Sequence, residues 1–222
     1  DEDQEEVYYT WNSHWQMAEA YQNARGILSV YENTEEEKAE QVQILVKLWD
    51  AGFTVAAHQL GKCWRDGMGV LPDDKKAELW FRRAAEAGHD FSQYALGKLL
   101  QSQKRMDEAV SRYEKAAAQD NSYADCWLGK LYFEGKAVSK DVPGAVDHLT
   151  ASAEQGNQFA QYALGRLYLD GREVPQDPDQ AWDCFSAAAE QGNEYANFFL
   201  EHFDQAHRPN VFLSATRLLH HL

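Results

Sequence analysis

Apolar residues return every three or four positions along most of the chain, the period of a helix with one buried face. The pattern is clearest in the segment from Gly156 to Gly192. Phe159, Tyr162, Ala163, Leu164, Leu167 and Tyr168 share one helical stripe, and Ala181, Phe185, Ala188 and Ala189 share a second. The segment therefore predicts a pair of helices. Ala160 and Gly165 interrupt the bulk of the first one. A glycine inside a helix costs about 1 kcal/mol relative to alanine, so its presence there predicts that the partner helix comes close.

The same pattern repeats. Gly52, Gly88, Asp120, Gly156 and Gly192 follow one another at spacings of 36, 32, 36 and 36 residues. Nine residues on from each, the second member of a pair is reached: Leu60-Gly61, Leu96-Gly97, Leu128-Gly129, Leu164-Gly165 and finally Leu200-Glu201, where the glycine is lost. Fixed-period self-similarity of this length marks a tandem array of helix pairs, with a degenerate terminal copy. Between the helices, Gly67, Gly135 and Gly171 can take the left-handed conformation that ends a helix, and Asp73, Asp141 and Asp177 can cap the next one. Pro178 falls at a first-turn position that tolerates proline. The second copy passes from Gln101 through Lys104 to Asp107 without a glycine, which predicts a shorter turn.

These boundaries divide the chain into an acidic, solvated tail over 1–6, divergent N-terminal helices over 7–52, repeats over 53–205 and a C-terminal capping helix over 206–222. The repeats run over about 53–88, 89–120, 121–156 and 157–192, with a partial copy at 193–205. In the N-terminal part, Tyr8, Trp11, Trp15, Ala18, Tyr21 and Ala24 keep helical spacing, and Ala39, Val42, Leu45, Leu48 and Trp49 do so again. Pro209 breaks the chain before the last apolar residues, Val211, Phe212, Leu218 and Leu219. The absence of an initiator Met and an end inside an apolar stretch suggest a piece of a longer protein.

Composition narrows the function. An apolar content of 44% supplies a core, and no apolar run reaches the 18 positions a membrane span needs. Cys63, Cys126 and Cys184 are odd in number and far apart, which points to a reducing, cytoplasmic setting. A net charge of −15 repels phosphate backbones, so direct nucleic-acid binding is not expected. The eight histidines form no helical metal-ligand pair with acidic or thiol partners, and no hydrolase, nucleotide-binding or C-x-x-C motif occurs. Neither a metal nor another cofactor is expected, and no enzyme activity.

The run Ala160-Gln161-Tyr162, Leu164-Gly165 and Tyr168, followed by Gly171, Val174, Asp177, Ala181 and the ending Ala188-Ala189-Glu190-Gln191-Gly192, resembles the Sel-1-like repeat, a relative of the tetratricopeptide repeat. That resemblance covers about residues 36–205. It implies an all-α fold, a right-handed superhelical α-solenoid of antiparallel helix pairs, and a role as a scaffold for protein complexes. A narrower likeness lies in VYYTW at Val7–Trp11, the run from Gly156 to Tyr168, and ATRLLHHL at Ala215–Leu222. These runs look like the repeat-bearing C-terminal region of plasmid-type mobilisation relaxases, which implies an accessory domain contacting transfer machinery.

One repeat position stands out chemically. Directly after each Leu-Gly pair come Lys62, Lys98, Lys130 and Arg166, with His202 in the last copy. The tetratricopeptide likeness implies that this position faces a concave groove, and helical spacing groups it with residues four before and three after. The expected partner-binding set is Lys62, Lys98, Lys130, Arg166, His58, Tyr94, Tyr162 and Phe133. Such a groove, basic with aromatic walls, suits a protein or peptide carrying acidic or carboxylate groups. The same column could instead pair with acidic residues of adjacent helices.

Overall fold

The computed structural model describes residues 2–203, with side-chain surroundings from His14 onward. All secondary structure among these residues is helical: α1 (Glu2–Ser29), α2 (Glu35–Asp50), α3 (Ala56–Asp66), α4 (Asp74–Glu86), α5 (Asp90–Ser102), α6 (Met106–Ala117), α7 (Ser122–Glu134), α8 (Val142–Glu154), α9 (Gln158–Asp170), α10 (Pro178–Glu190) and α11 (Glu194–Glu201). Residues 2–6 are part of α1, where the sequence suggested a tail. The expected capping helix over 206–222 lies outside the described residues. The chain forms two compact units, 1–115 and 116–222.

Local chemistry explains the helix boundaries. Gly67, Gly135 and Gly171 close α3, α7 and α9 at φ of +73°, +64° and +66°. The carboxylates of Asp73, Asp141 and Asp177 then accept backbone N–H bonds at the starts of α4, α8 and α10. The short turn of the second copy is present too. There Lys104 takes the left-handed conformation at φ +63° without a glycine.

In the first unit, Tyr21, Ala24 and Leu28 of α1 pack with Val42, Leu45 and Leu48 of α2 and with Leu60 and Cys63 of α3. Further along the same unit the Leu-Gly positions set the helix pairs. A Cβ on Gly61 would stand 2.5 Å from the Phe81 ring, and one on Gly97 would stand 2.6 Å from Tyr113. Glu78 of α4 receives Arg82 and Arg105, and Arg105 also binds Glu108, so an ion network joins α4 to the start of α6.

The second unit repeats the logic. A Cβ on Gly129 would meet Leu149 at 2.6 Å, and one on Gly165 would meet Phe185 at 2.8 Å. Phe185 is fully buried and stacks on Phe199 at 4.9 Å, so α9, α10 and α11 share one core. Removing water from these rings stabilises the pair by roughly 25 cal/mol per Å² of apolar surface.

Candidate functional site

The column residues fall on the first helix of each pair. In the first unit Lys62 of α3 is partly buried and Lys98 of α5 is exposed. Tyr94, one turn before Lys98, is partly buried with its ring 6.0 Å from that of Tyr113. In the second unit Lys130 of α7 holds its ammonium 5.0 Å from the Trp127 ring centroid. Arg166 of α9 lies 5.3 Å over Phe199 and donates from Nη1 to the Tyr162 hydroxyl at 3.3 Å. Its Nε–H is buried without an acceptor among the described residues. Phe133 is partly buried, with the Lys140 ammonium 5.4 Å from its ring.

Two expected wall residues have a different place. Tyr162 is 3% exposed and its ring packs against Phe185, Tyr195 and Phe199, so it is core and offers only its hydroxyl to Arg166. Sequence spacing put Tyr162 on the column face, but a ring that large is drawn inward by the neighbouring helices. His58 is partly buried and already engaged: its Nδ1 shares a 2.8 Å hydrogen bond with the Ser92 hydroxyl, and its ring stacks 4.7 Å from His89. Burial, together with the charges of His89, Lys62, Arg65 and Arg25, pushes its pKa down to about 3. His58 is a neutral packing residue joining α3 to the start of α5.

The cysteines are free thiols. Burial pushes Cys63 up to about 12, and Cys126 and Cys184 up to about 11, which disfavours the nucleophilic thiolate. Among the described residues no cluster of three His, Cys, Asp or Glu side chains is placed to hold a metal ion. No described helix is long and apolar enough to cross a membrane.

A second repeated feature lies at the starts of the first helices. Val55, Phe91, Tyr123, Phe159 and Tyr195 are all large, at least 36% exposed, and stand three residues after the turn residue of each copy. Phe159, whose spacing places it on the apolar stripe, is 44% exposed. The signal was available in the repeat register, since this column is apolar at every copy.

Fold and site together define an all-helical α-solenoid repeat protein built from tandem helix pairs. The Sel1 repeat model matches residues 54–89, 122–157 and 158–193, so the chain carries three Sel1 repeats. The structure is similar to a Sel1 repeat protein from Oxalobacter formigenes, with a TM-score of 0.72 and 29% identity over 81% of this chain and 75% of that one. It is also similar to a protective antigen of uropathogenic Escherichia coli displaying an SLR fold, with a TM-score of 0.66 and 33% identity over 70% of this chain and 34% of that one. Among curated proteins, the ERAD-associated E3 ubiquitin-protein ligase component HRD3B of Arabidopsis thaliana is 32% identical over 107 residues, 48% of this chain. The chain spans 17% of that relative's length.

Proposed function

We propose that this chain is a non-catalytic scaffold whose first-helix cations, in each unit by itself, bind carboxylate-bearing segments of a partner protein. The observation that carries the reading is the basic residue at one repeat position, Lys62, Lys98, Lys130 and Arg166, in a chain of net charge −15. Lys98 stands exposed beside Tyr94 in the first unit, and Lys130 and Arg166 lie over aromatic rings in the second. A carboxylate reaching such a cation makes a charge-assisted hydrogen bond worth about 1.5–3 kcal/mol when partly shielded from water. A relative that is a component of a ligase complex fits a protein that works by holding others. The relaxase likeness rests on sequence runs, two of which fall where side chains are not described, and a nicking domain encoded upstream would be its test.

The test uses a labelled peptide in which Glu recurs between Gly and Ser. Lys98→Glu and Lys130→Glu together should abolish its binding, and Lys98→Glu alone, at an exposed position, should weaken it while leaving the thermal midpoint within the small range of exposed charge changes. Unchanged affinity with reduced stability would mean that the column serves internal pairing, and the binding role would fall.

A further inference from the structure

The start of each first helix in the second unit carries an exposed ring. Tyr123 on α7, Phe159 on α9 and Tyr195 on α11 each occupy the second helical position and are 47%, 44% and 37% exposed. A single exposed aromatic needs no explanation, but one repeated at the same position of successive copies forms a row. Between Tyr123 and Phe159 lies a shallow cleft, lined also by Ser122, Gln155, Asn157 and Gln191.

This edge is firmly mounted. The Ser152 hydroxyl donates to the Ser122 carbonyl at 2.7 Å and the Asn157 amide does so at 3.4 Å, tying the α8–α9 turn to the start of α7. Gln191 Nε2 donates to Gln161 Oε1 at 2.7 Å and ties the next turn to α9. The rows of rings therefore sit on helix ends that hold one another in place.

Charge selects the occupant. Asp120, Glu154, Glu190 and Glu194 are exposed and precede the rings in sequence by three, five, five and one residues. No Lys or Arg occurs in 116–129, 150–165 or 173–203. Aromatic faces carry a negative quadrupole and attract guanidinium and ammonium groups, and neighbouring carboxylates add to that attraction. We propose that this edge is a second docking surface, for an extended partner segment carrying Arg or Lys side chains that stack on Tyr123, Phe159 and Tyr195 and pair with the adjacent carboxylates. Lys130 and Arg166 lie seven residues further along α7 and α9, roughly 10 Å up the same helices, so edge and column follow one another along each helix with opposite sign.

The full chain is titrated with a fluorescein-labelled peptide in which Arg recurs between Gly and Ser. Phe159→Ala and Tyr195→Ala, which leave net charge alone, should each weaken binding about three- to fivefold. Glu154→Lys with Glu190→Lys should abolish it, whereas the same charge change at exposed carboxylates elsewhere, Asp147→Lys with Asp183→Lys, should leave most of it. Lys98→Glu with Lys130→Glu should not weaken Arg-peptide binding, which separates this proposal from the column's role. Equal losses from the two acidic pairs would reduce the effect to the chain's overall charge and overturn the proposal. Ring variants that bind like the parent would overturn it too, as would concentration-dependent self-association lost on removing the rings, which would make the occupant a second copy.

Discussion

The two units start their first helices with different side chains for the same task. In the second unit Asn121, Asn157 and Asn193 accept the backbone N–H bonds at the starts of α7, α9 and α11. In the first unit that place at α5 belongs to His89, whose Nδ1 accepts from the Ser92 N–H at 3.2 Å. An amide oxygen does this at any pH, but an imidazole nitrogen does it only while unprotonated. His89 also stacks on the partly buried His58 and shares Ser92 with it, so one substitution in the repeat pattern installs a linked, titratable contact between copies. A repeat fold thus constrains the backbone tightly and leaves each copy free in its chemistry.

The largest expected effect comes from the element both units share. Gly165→Leu should unfold or severely loosen the second unit, because a side chain there meets the buried Phe185 ring, and overpacking typically costs about 1–3 kcal/mol or more. Gly97→Leu should do the same to the first unit against Tyr113. Amide exchange would read each loss; wild-type protection in both variants would show the helix contacts to be misplaced.

Acidification should come next and distinguish the units. The folded-state pKa of His58 is held down to about 3 and that of His89 is also lowered, both chiefly by burial. The unfolded chain therefore binds more protons below its ordinary histidine pKa. The stability these neutral rings contribute is complete above about pH 6.5 and is lost as pH falls towards 3, by up to about 1.4 kcal/mol per pH unit for His58. Denaturant unfolding at about pH 7 and about pH 5 should show the first unit weakening; a flat profile would refute a His58 held neutral in the fold. A smaller effect is expected from exchanging the caps. His89→Asn should flatten part of that acid response, and Asn157→His should cost the second unit roughly 1 kcal/mol and make its stability newly acid-sensitive. An acid response untouched by either exchange would detach it from the caps. The smallest change should follow Lys140→Ala, which removes an exposed pair with Glu173 and should shift stability by less than about 1 kcal/mol in a thermal melt.

Much of this fold was legible because tandem repetition multiplies weak signals. One Leu-Gly pair says little, but four at spacings of 36, 32 and 36 residues, with Asp73, Asp141 and Asp177 as caps, locate nearly every helix of the array. What spacing could not supply was depth. Tyr162 and Phe159 read alike as apolar residues three apart on one helix, yet one is enclosed by Phe185 and Phe199 while the other faces solvent. The difference is set by neighbouring copies, which period alone does not describe. The surroundings of His58 are hidden from the period for the same reason: its partners, Ser92 and His89, arrive from the next copy.

Amide hydrogen exchange on the full chain, with and without saturating Glu-bearing peptide, tests the scaffold reading most directly. Protection should rise along the first helices around Lys62 and Lys98 in the first unit and around Lys130 and Arg166 in the second. Protection confined to the second helices α4, α8 and α10, or no change at peptide concentrations that saturate the fluorescence signal, would contradict it.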